Sequence, residues 1–445
     1  MKKKNILSAL GLDRRGLLNL VILGVNAQLI YAFVDSRLSL STPFLGGLHI
    51  DIAQFGILLG LQGFTICAGA IPLGWLGDRL SMKTILGTGC CVTGLIGCFI
   101  SIFSMFHHIS FPCLFILFFF YYLFCEPVYW PTMLKAVRVT TSAKNQAMVF
   151  GWWECMRGFS AFIIEGLIDV AIYKFTGSIY AVMVFNSVVT VTVGLLVLFG
   201  IPKEYFQKDV AKDTKVALKG VVKAMKLPEV WLTGLGAFCV YTSVSAATNY
   251  FLLFLNNVFV VSVTMAAVFG IVSNSVFRTI CAPVSGMVTH WKFKTTAHWM
   301  RICFITLTIA VGIVYFVIPK QPEYAFFAVI FLSLIFIACF LMRGIYYSPI
   351  GEMNISHEMS AAAMSVASTI GYMPQCLAPV VFGAMINRYV KADAAGHVPD
   401  PSVAQIGYNR MLLIMFILSA AGIVSTTILG NRIIKRRQEN KAAEA

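Results

Sequence analysis

Long apolar runs, interrupted by clusters of charge, proline and glycine, set the pattern of the chain. Cut at those interruptions, the sequence gives apolar segments near 17–42, 53–77, 84–106, 111–134, 147–173 and 178–200. Beyond a polar stretch come 229–256, 263–289, 296–318, 324–350, 361–387 and 409–430. Each matches the roughly 20 residues a helix needs to cross the hydrocarbon of a bilayer. Runs such as Ile179 to Gly200 and Ile302 to Ile318 are nearly unbroken, whereas barrel strands alternate apolar and polar positions. The pattern therefore excludes a barrel and predicts an all-α membrane protein with twelve transmembrane helices.

Composition agrees. Of 445 residues 58% are hydrophobic and 12% charged, about half the charged share of a soluble domain, and the mean hydropathy is +0.82. A soluble enzyme is excluded. The polar stretch Pro202 to Pro228 holds seven lysines and no long apolar run, which predicts a solvated connector (202–228) between an N-terminal half (1–201) and a C-terminal half (229–445). The formal charge of +15 takes its meaning from position. Loops on the side of the termini carry 24 Lys and Arg, against Lys174, Lys320, Arg388 and Lys391 on the other side. Both termini are expected in the cytoplasm, and the basicity calls for no nucleic-acid partner. The 12 cysteines lie mostly singly in apolar runs, without metal or redox spacing. The basic start reads as leading into an uncleaved first span, because no small-residue cleavage site follows a short apolar region.

The halves repeat each other. Gly74 and Asp78, closing the second span, correspond to Gly286 and His290, closing the eighth, at a common offset of 212 residues that also maps Leu17 onto Glu229. A fainter echo pairs Tyr129-Trp130-Pro131 with Tyr347-Ser348-Pro349. Parallel six-helix repeats place a solute path between the halves near the bilayer midplane.

The stretch Gly74-Trp75-Leu76-Gly77-Asp78-Arg79-Leu80-Ser81-Met82-Lys83 resembles the signature G-x-x-x-D-[RK]-x-G-[RK]-[RK] of the major facilitator superfamily, with Gly74, Asp78, Arg79 and Lys83 matching and Ser81 and Met82 departing. The resemblance implies two six-helix pseudo-repeats, alternating access, and a gating role for Gly74, Asp78, Arg79, Lys83 and the repeat-related Gly286. Within the superfamily, Leu40-Ser41-Thr42-Pro43-Phe44, Trp153-Glu154-Cys155-Met156-Arg157-Gly158 and Ile345-Tyr346-Tyr347-Ser348-Pro349 resemble the organophosphate:phosphate antiporter-like branch. That branch holds phosphate with two cavity arginines, whose positions correspond here to Asp35 and Val244.

Ionisable groups inside a span are costly and usually face a cavity or a partner. In span five Glu154, Arg157, Ala161, Glu165 and Asp169 follow helical steps, with Glu165 and Asp169 expected at the outer, watery end. Gln28, Tyr31 and Asp35 form a stripe on span one, and Tyr122, Glu126 and Trp130 another on span four. The second half offers Tyr241 and Asn249 on span seven, Asn274 and Arg278 on span eight, Tyr347 on span ten and Tyr372 on span eleven. The expected substrate-binding set is Gln28, Tyr31, Asp35, Trp130, Arg157, Tyr241, Asn249, Asn274, Arg278, Tyr347 and Tyr372, with arginine as the anion clamp. Glu126, which has no basic residue within a turn, and Glu154 are the expected proton-coupling groups. His107, His108 and His357 show no ligand spacing, and no G-x-x-x-x-G-K-[ST] segment exists, so neither a metal, a cofactor nor ATP hydrolysis is expected. The reading is a monomeric secondary active transporter in a bacterial inner membrane, working by symport or antiport on a small polar, anionic solute. An exchanger or facilitator, or a sensor on a transporter scaffold, is the alternative.

Overall fold

A computed structural model describes residues 14–140, 146–202, 223–353, 357–390 and 400–444, without the side chains at 70–79, 138–139, 146–148, 150–151, 282, 290–291, 357–362, 365 and 440–444. The described residues contain helices and no strand. Ten helical stretches among them are long and apolar enough to cross a membrane. They coincide with ten of the twelve expected spans, for instance Met82–Phe106, Ile179–Gly200 and Pro228–Asn257. The expected first and fifth spans are helical too, but each is assembled from short pieces, consistent with twelve crossings.

Span one runs as Arg14–Leu29, Ala32–Asp35 and Arg37–Leu48. Neither glycine nor proline lies at the first break. There the Tyr31 amide turns back to the Gln28 carbonyl, and the carbonyls of Leu29 and Ile30 accept the hydroxyls of Thr190 and Tyr121 at 2.6 Å each. Side chains inserted into a helical ladder are a recognised cause of such breaks. Farther on, Leu40 leaves helical geometry three residues before Pro43, whose ring crowds the carbonyl four residues back. Span five consists of Gln146–Ser160, a π-helical turn Ala161–Ile168, and Asp169–Thr176. Span eight carries a second π-helical turn, Val272–Phe277. Span four breaks at 126–128 between Phe111–Cys125 and Tyr129–Val139, and span ten at 344–347 between Ala325–Arg343 and Ser348–Gly351. The echoing Tyr-Trp-Pro and Tyr-Ser-Pro motifs thus each restart a helix after a break.

Two compact units result, and they are not simply the two halves of the sequence. The first comprises 1–50, 64–212 and 263–279, and the second 51–63, 213–262 and 280–445. The repeat offset of 212 carries 51–63 onto 263–275, so the guest segments are themselves related by the repeat. In the first unit span three packs on span six and span one on spans five and six; in the second, nine packs on twelve and seven on eleven and twelve. Membrane helices gain no hydrophobic drive from each other, so close approach and interhelical hydrogen bonds hold them. The guest segment of the second unit shows this. Gly56, Gly60 and Gly63 form a stripe on which any Cβ would strike the backbone of Pro379 or Cys376, and the Tyr250 hydroxyl donates to the Pro379 carbonyl alongside. In the first unit Gly158 and Gly166 receive Thr279 and Ile271 of its own guest segment.

The last helix, Pro401–Glu444, runs on past its span. Its Arg432 and Arg436 lie 3.7 and 3.9 Å from Glu229, in the first turn of Pro228–Asn257. Arg437 reaches Glu352 at 3.6 Å and donates to the Lys294 carbonyl at 2.9 Å. Glu352 in turn accepts the Thr296 amide at 2.9 Å, occupying the N-terminus of Thr296–Gly312, where a negative charge is favoured.

Candidate functional site

The broken spans of the first unit gather its polar residues into two neighbouring clusters. In one, Arg157 lies with its guanidinium carbon 4.8 Å from the Trp130 ring centroid and 5.0 Å from that of Trp153, while Nη1 donates to Glu154 at 2.8 Å. The Arg157 side chain is 7% exposed and that of Glu154 45%. Tyr31 meets the edge of Trp130 at 6.4 Å, within hydrogen-bonding reach of buried Glu126. Glu126 follows the last residue of Phe111–Cys125 and heads the break in span four. The break is what turns Trp130 toward Arg157, and the helix restarting at Tyr129 is tied to span one through the Tyr129 hydroxyl and Asn26. Arg157 Nε is buried with no acceptor among the described residues. An orphaned charged donor of this kind is expensive unless something else fills it.

In the second cluster Gln28 joins Glu165 at 3.0 and 3.1 Å and Asp35 at 3.4 Å, and Arg37 binds Asp35 at 2.7 Å. Arg278 lies within electrostatic reach of Glu165. Sequence reading expected Glu165 and Asp169 to meet water at the outer end of their span. Both are instead buried, Glu165 against span one and Asp169 against Asn186 of span six at 2.8 Å. The expected single stripe from Glu154 to Asp169 is also divided. The wider turn at 161–168 interrupts the helical phase, so Glu154 and Arg157 serve the aromatic cluster while Glu165 faces Gln28.

Asn274, in the π-helical turn of span eight, bonds back to the Gly270 carbonyl of the preceding helix Val263–Ile271 at 3.1 Å, and with Arg278 it belongs to the first unit although both lie in the second half of the sequence. The second unit brings together Tyr241, Tyr347 and Tyr372 around Tyr346, which sequence reading passed over. Its hydroxyl lies 3.0 Å from that of Tyr241 and 3.2 Å from that of Tyr372, with Arg343 6.0 Å from the Tyr241 ring. Tyr346 precedes the repeat-related Tyr347, but nothing in the pattern shows which of two adjacent tyrosines turns inward. Asn249 donates to Ser245 at 3.3 Å.

Of the gating residues, Gly74, Asp78 and Arg79 end the helix Ile52–Arg79, and their side chains lie outside the described ones. Ser81, where the signature has glycine, caps the next helix by accepting the Thr84 amide at 3.1 Å. Lys83 follows in the first turn of that helix. Gly286 is exposed with open space where a Cβ would stand. It lines a cavity of about 330 Å³ with Thr289, Thr296, Ser348 and Glu352. Among the described residues no cluster of His, Cys, Asp or Glu is suited to hold a metal.

Broken helices that carry buried polar residues are a recurrent feature of secondary transporters. The sequence model of the Major Facilitator Superfamily matches residues 24–379. The chain belongs to that superfamily. This transporter is 24% identical over 432 residues to the inner membrane protein YihN of Escherichia coli strain K12, covering 94% of this chain and 96% of YihN. It is 22% identical over 428 residues to the inner membrane protein YqcE of the same strain, covering 92% of each. Among solved structures, a bacterial homologue of the human lysosomal transporter Spinster, inward-facing and unoccupied, superposes with a TM-score of 0.74 at 14% identity, over 95% of this chain and 98% of the other. The nucleoside transporter NupG does so with 0.68 at 14% identity, over 93% and 99%. These likenesses establish the fold, and the family makes the chain a multi-pass membrane transporter rather than an enzyme.

Proposed function

We propose that this transporter carries a small anionic organic solute across a bacterial inner membrane by alternating access, as a monomer coupled to protons, with both termini in the cytoplasm. The observation that carries the anionic reading is Arg157. Two indoles fix its plane, Glu154 occupies one edge of the guanidinium, and Nε–H is left without an acceptor among the described residues. A carboxylate or phosphate approaching that edge supplies the missing acceptor and can take a bidentate grip. Glu154, whose side chain is 45% exposed, borders water on the side from which a solute can approach. Proton coupling is supported by the buried carboxyls of the same unit, and orientation by the 24 basic residues on the terminus side. The names of YihN and YqcE support the inner membrane. The likeness to organophosphate antiporters supports an anion, but Asp35, bound to Arg37, and Val244 stand where that branch uses arginine. A phosphate site of that design is therefore replaced by the Arg157 cluster.

The test is a thermal-shift screen of the purified full-length protein against sugar phosphates, sugar acids, carboxylates, amino acids and uncharged sugars, since a specific ligand stabilises by mass action. An anion should stand out, and its effect should vanish in Arg157→Gln and not return in Arg157→Lys, which lacks the planar fork. Stabilisation by an uncharged sugar alone, or equal stabilisation of wild type and Arg157→Gln, overturns the proposal.

A further inference from the structure

Gln28 spends one amide nitrogen on two carboxylates. Its Nε2 lies 3.0 and 3.1 Å from the oxygens of Glu165 and 3.4 Å from Oδ2 of Asp35. Gln28 is 1% exposed and Glu165 4%, so water does little to keep the two acids apart. The opposite end of the amide is idle: Gln28 Oε1 is buried with no donor among the described residues. A neutral amide offers both donor and acceptor, and its two ends exchange by rotation about the last torsion. A carboxylate here takes the N–H, and a carboxylic acid gives its own hydrogen to the idle oxygen. The one side chain is therefore fitted to either protonation state of its partner.

The surroundings also leave room for one proton. Arg37 matches Asp35 at 2.7 Å and Arg157 matches Glu154 at 2.8 Å. Asp169, the first residue after the π-helical turn on the same span and fully buried, has the Asn186 amide at 2.8 Å. Arg278 bears on Glu165 from span eight, and Ser39 is engaged by the Glu165 backbone carbonyl at 2.9 Å. Glu165 thus has the carboxylates of Asp35 and Asp169 bearing on it as well as the guanidinium of Arg278, and burying like charges together is costly. A bound proton restores balance.

We propose that Glu165 and Asp35 share one exchangeable proton through Gln28, and that this pair, not Glu126, is the coupling site of the transporter. The assignment rests on the proton-coupled reading above and gives it a location. Its geometry also supplies a mechanism. Asp35 sits at the end of the short helix Ala32–Asp35, between two breaks of span one, and Glu165 on the π-helical turn of span five. Separation of span one from span five lengthens the Gln28–Glu165 contact, and with it changes which acid holds the proton.

The test uses the full-length protein in lipid. Infrared difference spectra between about pH 5 and about pH 9, a window spanning ordinary and perturbed carboxyls, should show the carbonyl band of a neutral carboxylic acid appearing on the acid side. That band should be missing in Glu165→Gln, move its midpoint in Asp35→Asn, and survive in Glu126→Gln. Carbodiimide labelling of the wild type, read by mass spectrometry, removes reliance on variants: Glu165 should be modified on the acid side and protected on the alkaline side. A band retained in Glu165→Gln, a band lost in Glu126→Gln, labelling at Glu126 in place of Glu165, or a band that answers to sodium replaced by choline each overturns the assignment. Protonation can be silent at Glu165 while an imposed pH gradient still drives flux, in which case this site alone is wrong. If Glu165 titrates but flux ignores the gradient, the proton-coupled reading falls and the pair loses its coupling role.

Discussion

The guanidinium of Arg157 is stacked on the indole of Trp130, 4.8 Å from its centroid, although the two residues belong to different spans and Trp130 opens the helix that restarts after a break. In sequence Trp130 was one member of a faint internal echo. In the fold it is half of a clamp, with Trp153 closing the other side.

That clamp makes a quantitative expectation. Replacing Trp130 by leucine removes one aromatic face, and a desolvated cation–π contact contributes about 1 to 2 kcal/mol. Affinity for the best anion of the screen, measured by isothermal titration calorimetry, should fall roughly 5- to 30-fold, with Trp130→Phe losing less. An unchanged affinity would mean that Trp153 and Glu154 suffice to hold Arg157.

Gly63 and Gly236 should respond in opposite directions to the same change. A Cβ at Gly63 would collide with backbone atoms of Gln375 and Cys376, which have no room to yield, so Gly63→Ala should destabilise by about 1 to 3 kcal/mol. At Gly236 the nearest neighbours are flexible side-chain ends at 3.8 and 3.9 Å, and alanine there should add up to about 1 kcal/mol of helix stability. Unfolding in detergent followed by denaturant titration distinguishes the two signs.

Glu352 binds a helix N-terminus and an arginine of the last helix at once. Glu352→Gln keeps the shape but gives up the charge that favours both, at a cost of about 1 to 3 kcal/mol. Hydrogen exchange should rise around Thr296 and around Arg437 together. A rise at only one of them would show that the two contacts are independent.

Asp400 caps the last helix, and its carboxyl is held below the ordinary value by hydrogen bonds from the backbone and side chain of Ser402. A depressed carboxyl contributes stability that is complete above the unfolded value, about pH 3.9, and is lost as the pH falls through the lower folded value. Protection from exchange at Ser402 to Ala404, relative to the intrinsic rate at each pH, should therefore persist at about pH 4 and fall only in stronger acid, while in Asp400→Ala it should be low and unchanged across that range.

Much of the fold was legible because span length and apolar content are one-dimensional properties. Met82–Phe106 and Ile179–Gly200 begin and end within two residues of the expected 84–106 and 178–200. The Glu154–Arg157 pair also follows directly from helical spacing. The breaks were not legible. Nothing in Leu29-Ile30-Tyr31-Ala32 marks a helix end, since the interruption is held by hydroxyls from Tyr121 and Thr190, residues far along the chain. The π-helical turn at 161–168 has no composition of its own, and without it the helical phase assigns Glu165 to the wrong surroundings. Tyr346 was hidden beside Tyr347 for a similar reason: a turn at 344–347, not a helix period, decides which ring points where.

The two guest segments, 51–63 and 263–279, bear on how the chain is made. Residues 51–63 leave the ribosome long before Cys376 and Pro379, the partners of their glycine stripe, have been translated. The first unit in turn waits for 263–279, which lies beyond the connector. Neither unit can be finished before synthesis has passed well into the second half, so insertion of the early spans must be followed by a late step in which 51–63 meets its partners and the first unit takes in 263–279.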